Sequence, residues 1–581
     1  MKKFIFNSML LGGLVMTSCS DNVLEKPVHE EYAKSFVELF GPVHPEQDWN
    51  MAQQKSVTVE MGTPGTVFVY AKTDIAYNLV GQYENVSGSQ VLKFDAPETV
   101  NDFIVYANGE GKKAGNGERV AFDGVKSRGG FVGDFKEVNE VAVHNYRTTY
   151  PIKNADNGVA SFLKKLTEGN SHENLPGLKY DFFALGGGTN NKPSVFPVYW
   201  NSGMDHELGI YFRTVENGKV KVVGDSIPIW RTKKFGNKNT DFHIVTTNNE
   251  TVVDPKWEGA NGQYPFQINT NIKEIVTRGF DLNIEQGDAF GFYLTVWHDW
   301  DGGDYDGKKI FTWYTDKELN DDKLAHAAYF EYGDNVKYLC FEDFRGTTYE
   351  HSGQTSDRDF NDVVFVFNPA PEIVHNEGAK WVLAVEDLGV TDDYDFNDAV
   401  LCIERVSGTD SAKVTPLAAG GTLPIQLMHD GKDVGDELHS YFGAEATDGK
   451  YPMINTTSAG VPGESFTFKV GRDWSLAEYT KTQMGGFNIK VNGKPNETII
   501  TPPNPGEAPQ MICVPYTWNW PKERVRIDYA YPGFTNWGTT NVDDTQYAGT
   551  IWGNGYLGGG WLTPCVGEKV IANPLAAAEQ N

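Results

Sequence analysis

The chain has little positive charge, few cysteines and, beyond its first residues, no long apolar run. Lys and Arg number 50 against 78 Asp and Glu, which gives a formal net charge of −28. Such a surface repels a phosphate backbone, so nucleic acid is not an expected partner. The acidity fits a protein that binds divalent cations, although a well-solvated exported surface also explains much of it.

The cysteines do not show the spacing of a metal site. Five are present, and Cys340, Cys402, Cys513 and Cys565 remain if Cys19 is modified. Cys340 and Cys402 lie in apolar, strand-like runs. Buried thiols and disulfides are both compatible with this placement, and no pairing is predicted.

The first 19 residues have the form of an export signal. Lys2 and Lys3 precede an apolar run shorter than the roughly 20 residues that span a bilayer. The sequence from Val15 to Cys19 resembles a bacterial lipobox, which predicts cleavage before Cys19 and a membrane anchor of lipid on its thiol. An ordinary secretory signal and an uncleaved anchor are the alternatives. The expected location is the cell envelope, as a surface-exposed outer-membrane lipoprotein.

Glycine and aromatic residues are abundant, with 62 Gly, 14 Trp, 27 Tyr and 34 Phe. This profile is typical of turn-rich β proteins, and 581 residues are too many for one hydrophobic core. We predict a mainly β fold of tandem antiparallel β-sandwich domains with one short N-terminal helix. The predicted divisions are a signal peptide (1–18), a tether and short helix (19–54), a small β-sandwich (55–140), a β-rich domain (141–370), a β-sandwich domain (371–570) and a tail (571–581).

Two local patterns give sharper predictions. Tyr32, Phe36, Leu39 and Phe40 recur at the spacing of one helix face, and Gly41-Pro42 supplies a stop. From Ser56 the period changes to two. The Gly62-Thr63-Pro64-Gly65 segment between two alternating runs therefore predicts a hairpin that ends at Tyr70.

A duplicated acidic motif is the strongest internal signal. Each copy runs into an apolar strand, and the copies are offset by 36 residues. An acidic pair also closes an apolar strand upstream of each copy. The first copy is Asp357-Arg358-Asp359-Phe360-Asn361-Asp362 with the pair Glu342-Asp343, and the second is Asp393-Tyr394-Asp395-Phe396-Asn397-Asp398 with the pair Glu386-Asp387.

Hard oxygen ligands at this spacing predict calcium, which takes roughly six to eight oxygens. In an extended segment alternate side chains point to one side, so Asp357, Asp359 and Asn361 converge while Phe360 enters the core. Carboxylates this close would also repel one another without a cation. The predicted ligands are Glu342, Asp343, Asp357, Asp359, Asn361, Asp362, Glu386, Asp387, Asp393, Asp395, Asn397 and Asp398.

Other interpretations of the acidic residues stay open. The motif also suits Asx turns that cap backbone amides, and a carboxylate pair for acid–base catalysis is a third interpretation. The acidic run from Asp299 to Gly307 fits either a calcium loop or a solvated hairpin tip. Asp205-His206-Glu207 resembles the start of a zinc-protease motif, but Ile210 stands where the second histidine belongs, so we assign His206 to a strand edge.

These motifs carry a resemblance to known families. Residues 281–368 resemble a widespread uncharacterised bacterial exoprotein domain that contains the first motif. Residues 381–560 are similar to the LruC-type domain of lipoproteins from Gram-negative anaerobes, through Tyr394–Asp398 and Ala530–Trp537. The resemblance implies a cell-surface lipoprotein with β-rich, calcium-binding domains and no established enzymatic activity.

Three functions are compatible with these features. We favour a calcium-stabilised binding or adhesion module that is not an enzyme and takes a glycan or protein ligand. A structural envelope or fimbria-associated component is the second, and a glycan-active enzyme with two carboxylates about 5–10 Å apart is the third. Tryptophans in polar segments would form binding platforms or pack in the core; they are Trp518, Trp520, Trp537 and Trp552.

Overall fold

The computed structural model describes the chain from residue 28 to residue 575 with gaps. The described residues are 28–72, 77–97, 100–123, 137–141, 179–186, 193–200, 204–231, 233–235, 239–241, 244–246, 251–252, 275–282, 284–297, 309–332, 336–346, 356–358, 360–367, 369–386, 393–406, 408–471, 474–477, 484–492, 497–516, 518–539 and 569–575. Cys19, Cys565, Trp552 and the acidic run 299–307 lie outside them.

The architecture is mainly β, as predicted, with several antiparallel sheets and few short helices. The helices are α1 (Val28–Phe40), α2 (Ile527–Ala530) and α3 (Phe534–Thr539), and short 3-10 turns cover Lys317–Leu319, Leu438–Phe442 and Met484–Gly486. None of the helices in the described part of the chain is long and apolar enough to cross a membrane.

Helix α1 confirms the N-terminal prediction with one correction. It ends at Phe40, and Gly41 follows in a left-handed conformation that donates its N–H to the Val37 carbonyl. Phe36 and Phe40 are buried, but Leu39 is 46% exposed. The buried face is centred on Phe36, and Leu39 lies about 60° from that centre around the helix axis, at the edge of the face.

The first strands form long ribbons rather than the predicted short hairpin. Strand β1 runs without a break through Gly62–Gly65, and register irregularities replace the predicted turn there. The register passes over Gly62, Thr63 and Pro64, and pairing with β2 resumes at Gly65, so the strand continues to Lys72 before the chain reverses. The strands of this part are β1 (Ala52–Lys72), β2 (Tyr77–Pro97), β3 (Asp102–Ala107), β4 (Glu110–Gly115), β5 (Arg119–Phe122) and β6 (Glu137–Val141).

The middle of the chain contributes to an 11-stranded sheet, which also contains β1–β5, and to a nine-stranded sheet, and these two face one another across an aromatic core. Residues Lys233–Phe235 and Asn239–Asp241 form a separate two-stranded sheet. The strands of the middle of the chain are β7 (Lys179–Tyr180), β8 (Phe182–Leu185), β9 (Ser194–Trp200), β10 (Asp205–Glu216), β11 (Lys219–Arg231), β12 (Lys233–Phe235), β13 (Asn239–Asp241), β14 (Ile244–Thr246), β15 (Thr251–Val252), β16 (Ile275–Asp281), β17 (Ala289–Trp297), β18 (Lys309–Tyr314), β19 (Ala327–Tyr332), β20 (Val336–Phe341), β21 (Val363–Phe367) and β22 (Glu372–Gly378).

The C-terminal part contains a five-stranded and a four-stranded sheet. Its strands are β23 (Lys380–Val385), β24 (Ala399–Arg405), β25 (Ser411–Ala418), β26 (Ile425–His429), β27 (Lys432–Glu437), β28 (Phe466–Lys469), β29 (Phe487–Asn492), β30 (Glu497–Ile500), β31 (Met511–Pro515), β32 (Trp520–Pro521) and β33 (Val570–Ile571). Trp518, Trp520 and Trp537 are buried in its core, so they are not the surface platforms considered above. Cys402 and Cys513 are buried here, and Cys340 is buried in β20.

Contacts connect the predicted divisions closely. Strand β22, which follows the predicted boundary at 370, pairs with β8 and runs parallel to β2. One hydrophobic core contains side chains from α1, from β1–β5 and from the C-terminal sheets. The domain boundaries themselves stay predictions.

Candidate metal centre

The two acidic motifs occupy equivalent places in two hairpins. In the first, Phe341 at the end of β20 pairs with Val363 at the start of β21. In the second, Val385 at the end of β23 pairs with Ala399 at the start of β24. Each acidic pair therefore follows one strand directly, and each motif precedes the neighbouring strand. The hairpin register brings the two groups of carboxylates together at one end of each sheet.

The backbone of both motifs follows the same unusual path. Arg358 and Phe360 have φ values of 63° and 56°, and Tyr394 and Phe396 have values of 55° and 54°. Bulky residues rarely adopt this left-handed conformation, which costs on the order of 1–3 kcal/mol per residue. The side chains were predicted to alternate between the two sides of an extended segment. They lie instead on a strained loop. Phe360 and Phe396 nevertheless enter the core, as predicted.

A glutamate holds each strained loop in place. Both oxygens of the Glu386 carboxylate accept backbone N–H groups, from Tyr394 at 3.1 Å and from Phe396 at 2.9 Å. In the first motif the Phe360 N–H donates to Glu342 at 3.4 Å. Successive N–H groups around left-handed residues form a concave anion site. The glutamate of each acidic pair thus accepts a backbone N–H group of the loop in both copies.

The second cluster consists of Glu386, Asp393 and Asp395. Each offers an oxygen within 4.8 Å of the others, and Glu386 and Asp395 are buried. Asp395 also accepts the N–H groups of Asn397 at 3.1 Å and Arg524 at 2.7 Å. A carboxylate oxygen has two lone pairs. An oxygen that accepts one N–H therefore keeps a lone pair for a cation.

The first cluster consists of Glu342, Asp343 and Asp362, again with oxygens within 4.8 Å of one another. Its neighbouring side chains differ from those of the second cluster. The Asp343 carboxylate lies 3.1 Å from Nε2 of His206, and both side chains are buried. Asp362 accepts the Asp343 N–H at 2.8 Å.

Burial makes these carboxylates hard to ionise. It raises the pKa of Glu342 to about 8, with Asp343 and Asp357 as further causes. It raises the pKa of Glu386 well above its usual range, with Asp398 and Asp395 adding to the effect. The pKa of Asp395 rises to about 8 through burial and then through Asp393. A bound cation would reverse this balance by stabilising the ionised forms.

The other predicted ligands fall into three groups. Asp357 and Asp398 lie near their clusters, because their charges act on Glu342 and Glu386. Asn397 is buried and donates from Nδ2 to the Pro521 carbonyl at 3.2 Å, and its Oδ1 lies against Gly420. Asn361 is buried. Asp359 and Asp387 lie outside the described residues.

Two elements of the clusters were missed in the sequence. His206 lies far upstream of the first motif, and Glu523 lies far downstream of the second, where its charge acts on Asp395. No local spacing links either residue to its motif. The segment Asp205–Ile210 belongs to β10, as assigned, and not to a protease helix. His206 is the second residue of β10; it is fully buried and pairs with Val296 of β17, while the pairs with β11 begin at Glu207.

The chemistry of each donor set fits a hard divalent cation. Calcium binds carboxylate and carbonyl oxygens with flexible geometry, and three carboxylates of one cluster offer six oxygens. The same donors suit a soft transition metal poorly, because neither set contains a thiolate. No family model matches the chain, and no curated protein or solved structure is detectably similar to it. The resemblance to LruC-type lipoproteins therefore stays a prediction.

Proposed function

We propose that this chain is a lipid-anchored, calcium-stabilised β protein of the cell envelope that acts as a binding module rather than as an enzyme. The observation that supports calcium binding is that the same arrangement of loop and carboxylates occurs twice. Two hairpins with different neighbours place buried carboxylates at the same register, on loops with the same strained conformation. A turn cap needs one acceptor, whereas three converging carboxylates raise one another's pKa unless a cation is present.

The anchor part is supported by the lipobox-like sequence before Cys19 and by the position of α1. The helix begins nine residues after Cys19 and packs against the C-terminal sheets through Tyr32, Phe36 and Phe40. A lipid on Cys19 would therefore hold the folded protein close to the membrane. An outward-facing position in the outer membrane would make the β sheets available to partners.

The binding part is supported by the way the acidic residues are used. Glu386 and Asp395 are occupied by backbone N–H groups that fix a loop. A general acid or base would instead need a carboxylate that faces a substrate cleft. In the proposed function, calcium stabilises the loops of the two hairpins, and the folded surface contacts a glycan or a protein.

The test is thermal unfolding of the chain from Ser20 to Asn581. Calorimetry measures the unfolding in calcium, in magnesium and in chelator. Calcium that binds only the folded state should contribute about 2.7 kcal/mol per site at a hundred times its Kd. Elemental analysis of the purified protein gives the number of bound ions. Asp448→Asn, in an exposed turn, is the matched control for a lost charge.

Two further readouts separate the parts of the proposal. Incorporation of labelled palmitate that disappears in Cys19→Ser tests the anchor. Binding to immobilised glycans and surface proteins, with calcium and with chelator, tests the binding role. Unchanged melting in chelator and calcium, with no bound ion, would contradict the calcium part without touching the anchor.

A further inference from the structure

A small positively charged surface stands out on this acidic chain. Lys522, Arg524 and Arg526 follow strand β32, and Lys569 directly precedes β33, which pairs with β32. Tyr529 lies beside them and is 56% exposed. It is the one aromatic residue that is more exposed than buried among the residues whose burial the structure describes. We call these five residues the basic face.

The charges of the basic face are arranged around the tyrosine. The Arg526 guanidinium lies 4.3 Å from the centre of the Tyr529 ring, and the Lys569 ammonium lies 5.9 Å from it. Asp528 pairs with Arg526 at 2.7 Å. Glu523 pairs with Arg524 at 3.7 Å and is the more buried of the two, with 17% against 73% of the side chain exposed. The outward side of this segment therefore carries more positive than negative charge.

The basic face adjoins the helix that would connect the protein to its lipid. The Arg526 guanidinium lies 5.6 Å from the centre of the Phe40 ring, in the last turn of α1. The thirteen residues of α1 span roughly 20 Å. The nine residue steps from Cys19 to Val28 reach at most roughly 30 Å. A bilayer that holds the lipid of Cys19 is therefore within reach of the basic face.

We propose that the basic face rests on the anionic phospholipid surface of the membrane that holds the anchor. This inference depends on the anchor in the proposed function. Lys and Arg near an anionic bilayer each contribute about 1 kcal/mol, and tyrosine favours the region between headgroups and water. A short tether also raises the local concentration of the surface, so a weak contact suffices.

The contact would fix the orientation of the molecule. Helix α1 and strands β32 and β33, which adjoin or carry the basic face, would lie next to the membrane. The second acidic cluster is then the membrane-proximal one, because the Arg524 N–H donates to Asp395.

The test uses the chain from Ser20 to Asn581 without lipid and vesicles of phosphatidylcholine with or without phosphatidylglycerol. We expect sedimentation with the anionic vesicles only, and weaker binding as salt rises. Arg524→Gln and Lys569→Gln should each weaken binding about fivefold, which corresponds to about 1 kcal/mol. Lys93→Gln with Lys219→Gln removes two exposed charges elsewhere and should leave binding unchanged.

The outcomes separate this inference from the anchor. Two results would overturn the proposed membrane contact even if Cys19 carries lipid. One is equal binding to neutral and anionic vesicles. The other is unchanged binding by the two Gln variants when their melting profiles show that they are folded. Salt-sensitive binding that the variants weaken would support the basic face even if labelled palmitate is not incorporated. Only the proposed lipid on Cys19 would then be contradicted.

Discussion

Asp395→Asn distinguishes a calcium ligand from a turn cap, because the two roles predict different dependence on calcium and on pH. Asp395 is buried, and burial together with Asp393 raises its pKa to about 8. At pH 7 without calcium the side chain is therefore mostly protonated, and asparagine resembles that neutral form. In chelator at pH 7 we expect the variant to be the more stable protein by on the order of 4 kcal/mol, because the unfolded parent ionises Asp395 at this pH whereas asparagine stays neutral in both states, and the two should converge near pH 4.

The magnitude changes with calcium and with pH. Calcium at a hundred times its Kd should raise the free energy of unfolding of the parent protein by about 2.7 kcal/mol at this site, or roughly 5–10 °C for a unit of about 200 residues. The variant should lose this gain. Because the folded-state pKa exceeds the ordinary aspartate value of 3.8, the unfolded chain binds fewer protons between pH 4 and 8. Stability without calcium should therefore fall as pH rises through this window, by on the order of 5 kcal/mol in total.

The assay is calorimetry at pH 5, 7 and 9 in calcium and in chelator, with Asp448→Asn as the control. At pH 9 in chelator the variant should be the more stable protein, because the parent must ionise a buried carboxylate. A different result would refute the reasoning. If Asp395→Asn loses about 1.5–3 kcal/mol equally in calcium and in chelator at every pH, the carboxylate is an ionised cap of the Asn397 and Arg524 N–H groups.

Three further predictions concern the fold. Phe36→Ala should destabilise the C-terminal sheets by about 3–5 kcal/mol, as measured by proteolysis there, because α1 belongs to their core. Arg213→Met should cost about 3–5 kcal/mol in urea unfolding, since it leaves the fully buried Asp316 without its partner at 2.8 Å, and adding Asp316→Leu should restore most of the loss. Gly209→Ala should cost about 1–3 kcal/mol in the same assay, because a Cβ there would lie 2.2 Å from the Tyr293 ring.

The sequence determined what depends on local periodicity and on residue chemistry. Alternating apolar runs specified a mainly β fold, and the i, i+4, i+8 spacing of Tyr32, Phe36 and Phe40 specified α1. The duplicated motif could be found because both copies and their acidic pairs are contiguous in the chain. Two predictions were wrong: that Leu39 belongs to the buried face of the helix, and that the chain turns at Gly62–Gly65. The orientation of a helix and the continuation of a strand both depend on the elements that pack against them.

Only the tertiary structure decided which groups share a site. Helix α1 packs on Tyr394 of the second motif, more than 350 residues away, with ring centres 5.0 Å apart for Tyr32. His206 joins the first cluster from 137 residues upstream of Asp343, and Glu523 joins the second from 128 residues downstream of Asp395 (523 − 395). The physical reason is that hydrophobic burial is not directional and joins any apolar faces that fit. Residues far apart in sequence then meet by sheet register, for which the local sequence holds no signal.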